Sequence, residues 1–173
     1  MEGKQNDREE PRPPERADLV AICRKLNELG AKYIIVGGLA ILETGYARST
    51  EDLDFLVETS DLNGSRVLEA LMILPDQAAA EVEPGEIPEY TVVRICDEVT
   101  VDIMAKACGI TYEKAKDEIN WRTIDGVEIP FASPRLLWWT KDTVREKDHL
   151  DRLHLAKVLR AQGSPVPPPP LSE

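Results

Sequence analysis

The chain has 173 residues, of which 42% are hydrophobic and 31% are charged, and its formal net charge is −11. This length and composition are typical of a single globular domain with its own hydrophobic core. No apolar run approaches the roughly 20 residues that span a bilayer, and the polar N-terminus lacks the apolar stretch of a secretory signal. The sequence therefore predicts a cytoplasmic protein with no membrane span, in which three scattered cysteines are buried, reduced thiols.

The negative charge is unevenly distributed along the chain. An acidic protein repels the phosphates of nucleic acids and nucleotides. Between residues 132 and 160, however, seven Lys or Arg side chains stand against four Asp or Glu, a local balance of +3. We expect an anionic ligand to bind at this segment or through cations that are held elsewhere.

The composition also divides the chain. Residues 1–16 and 163–173 are rich in charge or proline, and both tails are predicted to be disordered. Between them we predict a core over residues 17–131 and a C-terminal helical segment over residues 132–162 that packs on the core.

Hydrophobic periodicity and turn residues predict an α+β (mixed α/β) fold with one central sheet. The predicted elements are, in order, a helix (RADLVAICRKLNELG), a strand (KYIIVGG), a short helix (GLAILETGY), a strand (DLDFLVE), a helix capped by Asn63 (NGSRVLEALMIL), a hairpin turning at Asp97-Glu98 (YTVVRIC and EVTVDIM), a helix (TYEKAKDEI), a hairpin turning at Asp125-Gly126 (WRTIDGVEIPFAS) and a final helical run (SPRLLWWTKDTVREKDHLDRLHLAKVLRAQ).

Acidic side chains follow one face of two predicted strands. Because side chains alternate across a strand, Asp52 and Asp54 share the face opposite Leu53 and Phe55, and Asp102 repeats this placement on a later strand. If the two strands are neighbours, three carboxylates meet in an oxygen-rich patch that suits Mg²⁺. The alternative is that all three are solvated and hold nothing.

A glycine pair follows the strand that precedes the first two aspartates. Gly37 and Gly38 present bare backbone amides where a phosphate can approach closely. A Gly-Gly pair alone is more often a tight turn. The ordered combination of this pair, the Asp-x-Asp on the next strand and the aspartate on a later strand is a far more specific signal than the pair alone.

This ordered set resembles the DNA polymerase beta-like nucleotidyltransferase superfamily, whose signature is Gly-Gly or Gly-Ser after the first strand, Asp-x-Asp about a dozen residues later and a third acidic residue. Here it reads Gly37-Gly38, Asp52-Leu53-Asp54 and Asp102. Gly38 departs from the Gly-Ser form and lacks the hydroxyl that often touches the terminal phosphate.

Within that superfamily, the run ARSTEDLDF is similar to small bacterial AbiEii-type and related minimal nucleotidyltransferases of toxin–antitoxin and abortive-infection systems. Those proteins also carry a helical motif of Lys, Arg and Lys/Arg-Asp-x-x-Asp. It matches Lys141, Arg145, Lys147, Asp148 and Asp151. The resemblance covers about residues 36–159.

The resemblance implies a central mixed β-sheet flanked by helices and a metal-dependent transfer of an NMP from an NTP to a hydroxyl of a protein, RNA or small-molecule acceptor. It assigns Asp52, Asp54 and Asp102 to catalysis and to two Mg²⁺ (or Mn²⁺) ions. The residues that it implies for nucleotide binding are Gly37, Gly38, Arg48, Thr50, Lys141, Arg145 and Asp148. For Arg48 and Thr50 the alternative is that they brace the loop before the aspartates.

The spacing of the C-terminal motif is compatible with one helix face. Lys141, Arg145, Asp148 and Arg152 follow i, i+4, i+7 and i+11. They form either a surface ladder of salt bridges or a cationic face that folds over a triphosphate; the resemblance favours the second.

Three functions remain open at this stage. The first is an active nucleotidyltransferase, either an antitoxin-type enzyme that modifies a cognate toxin or a toxin-type enzyme that modifies tRNA. The second is an inactive domain of the same fold that binds a partner, as an antitoxin would. The third is a structural domain with solvated aspartates.

Overall fold

Strands and helices follow one another along the whole computed structural model, which describes residues 9–171. The strands are β1 Tyr33–Val36, β2 Asp52–Val57, β3 Val92–Cys96, β4 Thr100–Met104, β5 Lys106–Ala107, β6 Ile110–Thr111, β7 Ile119–Ile124 and β8 Val127–Ala132. The helices are α1 Arg16–Glu28, α2 Gly37–Glu43, α3 Asp61–Leu71, α4 Glu86–Glu89, α5 Tyr112–Ala115, α6 Pro134–Thr140 and α7 Glu146–Ala161, with a 3₁₀ helix at Ala78–Glu81.

Six of the strands form one mixed sheet in the order β3-β4-β2-β1-β8-β7, and β5 pairs with β6 separately. Strand β2 is antiparallel to β1 and parallel to β4. Both predicted hairpins are present, as β3–β4 and β7–β8. The mixed sheet with helices around it confirms the predicted fold class.

The core explains why β1 and β2 lie at the centre of this sheet. All four residues of β1 are buried, as expected of a strand that is covered on both faces. Strand β2 buries Leu53 and Phe55 in the same core and presents Asp52 and Asp54 to the other side. Among the described residues no helix is long and apolar enough to cross a membrane.

The C-terminal region differs from the predicted continuous helical run. It divides into α6 and α7, and residues 141–145 connect them. On one unbroken helix, Lys141 and Asp148 would lie about 10 Å apart along the axis. The break brings the Lys141 ammonium to 3.2 Å from an Asp148 carboxylate oxygen. The prediction of a shared helix face for Lys141, Arg145, Asp148 and Arg152 is therefore wrong.

The cysteines also depart from the prediction. Cys23 is buried in the core, whereas Cys96 and Cys108 are exposed, and all three are free thiols. Strand β3 is an edge strand, and its alternation turns Cys96 outward.

Both tails have a described part that contacts the folded region. The Arg12 N–H donates to the Glu98 carbonyl at 2.9 Å. At the other end, the Trp139 indole N–H donates to the Pro169 carbonyl at 3.2 Å. Residues 1–8 and 172–173 of the predicted disordered tails lie outside the described residues, and the division at 17–131 and 132–162 stays a prediction.

The capping residue of α3 is Ser60, whose hydroxyl accepts the Asn63 N–H, so the predicted cap at Asn63 is wrong. The Asn63 side chain is buried and serves a longer-range purpose. It accepts the Lys32 N–H and donates to the carbonyls of Lys32 and Glu58. One amide therefore ties α3 to the start of β1 and the end of β2.

We expect Asn63→Ala to lower the free energy of unfolding by roughly 2–4 kcal/mol, because three hydrogen bonds are lost and buried backbone groups are left unpaired. Urea unfolding measures this change. Asn120→Ala, at an exposed position on β7, is the control and should stay within about 0.5 kcal/mol of wild type. Equal effects of the two substitutions would contradict the assignment.

Candidate active site

Three aspartates converge where β2 and β4 run side by side. The parallel register pairs Asp54 with Asp102 and Asp52 with Thr100. Asp52 and Asp54 are partly exposed, whereas only 6% of the Asp102 surface is exposed. The structure thus brings together the three carboxylates that the sequence placed on two separate strands.

A cation that the sequence reasoning missed, Arg94, lies across these carboxylates. Strand β3 pairs Arg94 opposite Asp102. The guanidinium donates to both Asp102 oxygens at 2.8 and 2.9 Å and to an Asp52 oxygen at 3.1 Å. The alternation of apolar residues in β3 was the available signal, since it turns Arg94 away from the side occupied by Ile95.

The electrostatics of the cluster are dominated by Asp54. Burial, followed by repulsion from Asp102 and Asp52, raises the pKa of Asp54 to about 7. Burial also raises the pKa of Asp52, although Arg94 opposes the shift. A cation placed among these carboxylates would relieve the repulsion.

The two glycines leave space for the side chains of the site. A Cβ atom on Gly37, whose φ is +70°, would lie 2.0 Å from an Asp54 carboxylate oxygen. A Cβ atom on Gly38 would lie 2.8 Å from the Thr50 hydroxyl and 3.1 Å from an Arg48 guanidinium nitrogen. The Gly-Gly pair therefore lets Asp54, Thr50 and Arg48 approach the end of β1.

One polar pocket opens over this arrangement. Its lining contains all the predicted site residues except Gly37, together with residues that the prediction did not assign to the site. The lining residues are Gly38, Arg48, Ser49, Thr50, Glu51, Asp52, Asp54, Arg94, Asp102, Lys141, Arg145, Lys147 and Asp148. Gly37 lines a second, less polar pocket. The two pockets share Asp54, Arg94, Asp102, Lys141, Arg145 and Asp148.

The segment between α6 and α7 supplies a basic wall of the polar pocket. Lys141 is buried and pairs with Asp148 at 3.2 Å and Asp151 at 3.1 Å, whereas Arg145 is exposed. Burial alone would raise the pKa of Asp148, but the Thr143 hydroxyl and the Lys141 ammonium outweigh it and hold that pKa below its ordinary value. Asp148 is therefore an ionised carboxylate that pairs with the neighbouring cations Lys141 and Arg145.

The donor set suits a divalent cation, with one rearrangement. Carboxylate oxygens from neighbouring strands are the ligands that Mg²⁺ and Mn²⁺ prefer. Within residues 9–171, however, no three His, Cys, Asp or Glu side chains are already arranged to hold a metal ion. Arg94 contacts the carboxylates instead, and 57% of its side chain is exposed, so that packing does not enclose it.

The fold that surrounds this pocket is similar to the folds of two solved structures. At a TM-score of 0.53 and 14% identity, the chain is similar to an antigenic nucleotidyltransferase-like protein from Paracoccidioides brasiliensis, over 87% of this chain and 78% of that one. It is also similar to the lincosamide antibiotic adenylyltransferase LnuA in its lincomycin-bound form, with a TM-score of 0.51, 17% identity and coverage of 84% and 99%. No family model and no curated protein sequence matches the chain.

These likenesses establish the fold. The narrower resemblance to AbiEii-type proteins and the roles of the site residues stay predictions.

The raised pKa of Asp54 predicts a pH-dependent stability in EDTA. The folded protein keeps this proton up to about pH 7, whereas an ordinary Asp releases it near 3.8, so the contribution of Asp54 to the stability of the folded state falls as the pH rises from 4 to 8. We expect Asp54→Asn to be more stable than wild type at pH 8, by a few kcal/mol, and close to wild type at pH 4. Denaturant unfolding at both pH values measures the difference.

The control for this experiment is Asp117→Asn, which changes an exposed aspartate. It should show no such pH-dependent gain. An equal effect of Asp54→Asn at pH 4 and pH 8 would show that the Asp54 proton is not linked to folding.

The close approach at Gly37 predicts a second effect on stability. Gly37→Ala forces a side chain into a left-handed conformation and against the Asp54 carboxylate, and we expect a loss of about 2–4 kcal/mol. Gly85→Ala is the matched control, because its Cβ would meet open space. Comparable unfolding midpoints for the two variants would contradict the packing described here.

Proposed function

We propose that the protein is a metal-dependent nucleotidyltransferase that moves an NMP from an NTP to an acceptor hydroxyl. The observation that supports this most strongly is the register of β2 and β4, which sets Asp54 beside Asp102 at the floor of a polar pocket. The likeness of the fold to a nucleotidyltransferase-like protein is consistent with that chemistry, and a second solved structure of similar fold is an adenylyltransferase.

The charge balance of the pocket supports a role for divalent ions. Five cationic side chains line it, namely Arg48, Arg94, Lys141, Arg145 and Lys147. Five carboxylates line it as well, namely Glu51, Asp52, Asp54, Asp102 and Asp148. A nearly neutral pocket on an acidic protein does not attract a triphosphate by itself, so additional positive charge is needed.

Asp52, Asp54 and Asp102 would hold two Mg²⁺ or Mn²⁺ ions. When bound, such ions neutralise the charge that develops on the attacking and leaving oxygens. The flexible side chain of Arg94 must first release Asp52 and Asp102. Arg94 lines the same pocket, and the released guanidinium would contact an anion there.

The remaining residues of the proposal bind and orient the reactants. Arg48, Thr50, Lys141 and Arg145 would contact the phosphates, and the bare backbone of Gly38 would leave space for these side chains and the phosphates. Asp102 would accept the proton of the acceptor hydroxyl. The acceptor oxygen then bonds to the α-phosphorus, the bond from the α-phosphorus to the bridging oxygen breaks, and pyrophosphate leaves.

The acceptor class and a toxin–antitoxin role are finer parts of the proposal. The resemblance to AbiEii-type proteins supports a toxin, an antitoxin or tRNA as acceptor. The net charge of −11 favours a protein or small molecule over RNA, because it opposes the approach of a polyanion.

The central test is calorimetric titration of Mn²⁺ with ATP or CTP into wild type and into Asp52→Asn and Asp54→Asn. We expect metal-dependent nucleotide binding in the wild type and at least a tenfold loss in each variant, since each removes a carboxylate ligand. Asp117→Asn is again the control and should bind as wild type. Equal metal-dependent binding in all proteins would rule out the proposed metal site.

Transfer itself is tested by incubating the protein with α-³²P-labelled NTPs and a total cell extract. A labelled protein, RNA or small molecule that disappears in Asp54→Asn supports the enzyme. Nucleotide binding without any labelled product would instead support the inactive, partner-binding domain.

A further inference from the structure

Asp151, which the preceding mechanism does not use, is a fully buried carboxylate beneath the polar pocket. It lies on the inner side of α7, and none of its surface is exposed. A buried, charged aspartate is costly unless cations compensate it. Its position therefore calls for a physical explanation.

Two cations from different parts of the chain meet at this carboxylate. The Arg48 Nε atom is 3.1 Å from one Asp151 oxygen, and the Lys141 Nζ atom is 3.1 Å from the other. Within the described residues, however, neither oxygen accepts a hydrogen bond of good geometry, and neither does Arg48 Nε donate one. The contact is thus electrostatic, and it joins the loop before β2 to the segment between α6 and α7.

The same two cations reach the polar pocket. Arg48 turns Nε towards Asp151, and one of its terminal nitrogens lies against Gly38, at 3.1 Å from where a Cβ would be. Only 19% of the Arg48 side chain and 8% of the Lys141 side chain are exposed. Arg48 and Lys141 therefore line the pocket while the buried Asp151 carboxylate contacts both of them from the protein interior.

We infer that Asp151 is a positioning residue that holds Arg48 and Lys141 in the orientation in which they contact the polyphosphate of the substrate. The inference rests on the proposed function and deepens it, because it identifies what fixes the anion-binding side chains. Asp151 itself does not touch the phosphate.

Asp151 could affect anion binding through its negative charge or by orienting the two cations, and these two roles predict opposite effects of a substitution. If Asp151 acted only through its negative charge, its removal would strengthen the binding of an anion in the pocket. If it acts by orienting Arg48 and Lys141, the loss of their common anchor weakens that binding. The sign of the effect separates the two roles.

The experiment measures binding of inorganic tripolyphosphate, in the presence of Mn²⁺, to the full chain by calorimetry. We expect Asp151→Asn to weaken this binding about tenfold, which is the effect typical of residues that orient a ligating group. Asp151→Glu, which keeps the charge and moves the carboxylate, should weaken it as well. Asp142→Asn removes the charge of an exposed aspartate that pairs with Arg152 and should change the affinity by less than about twofold.

Two further measurements exclude a general loss of structure. Mn²⁺ alone should bind Asp151→Asn as it binds wild type, because the carboxylates of β2 and β4 are unchanged. In an Arg48→Gln background, Asp151→Asn should weaken tripolyphosphate binding less than it does in wild type, because Asp151 can then act only through Lys141.

Unchanged or stronger tripolyphosphate binding by Asp151→Asn would overturn the inference, as would a parallel loss of Mn²⁺ binding or the full effect in the Arg48→Gln background. A wild-type protein that binds Mn²⁺ and tripolyphosphate, together with variants that behave in these ways, would leave the proposed function intact. A wild type that binds neither would contradict the proposed function itself and the inference with it.

Discussion

The repulsion among carboxylates on two neighbouring strands is the constraint on which the site depends. The sheet fixes Asp54 beside Asp102, so the backbone allows no separation that would relieve it. In the structure the Arg94 guanidinium binds Asp102 and Asp52, while burial and repulsion raise the pKa of Asp54 to about 7. The cluster is therefore a place where positive charge is favourable, and Arg94 supplies part of it together with Lys141 and Arg145.

The glycine pair is best understood as part of this site rather than as a turn alone. The missing side chain of Gly37 leaves space for the Asp54 carboxylate, and that of Gly38 leaves space for Thr50 and Arg48. The departure from the Gly-Ser form at Gly38 has a physical counterpart here, because the Thr50 hydroxyl lies close to the space that a side chain at this position would fill. A hydroxyl is thus present beside Gly38, although it comes from the loop before β2.

Much of the fold followed from local patterns. The two hairpins, β1 and β2 were predictable because alternation and turn residues are encoded within a few positions of one another. The meeting of Asp54 and Asp102 could be stated only as a condition, since no local pattern shows which strands pair. Arg94 was missed for the same reason: the alternation within β3 shows which face Arg94 takes, but only the pairing of β3 with β4 places it opposite Asp102.

The C-terminal segment shows the limit of periodicity most clearly. The spacing from Lys141 to Arg152 is compatible with one helix, yet the chain breaks after α6 because Lys141 turns inward to Asp148 and Asp151. Arg48, which comes from a distant loop, contacts the same Asp151 carboxylate, so that each buried charge of this cluster has an oppositely charged neighbour. The helix boundary is consequently set by a tertiary ion cluster, and the same cluster places two cations at the wall of the pocket.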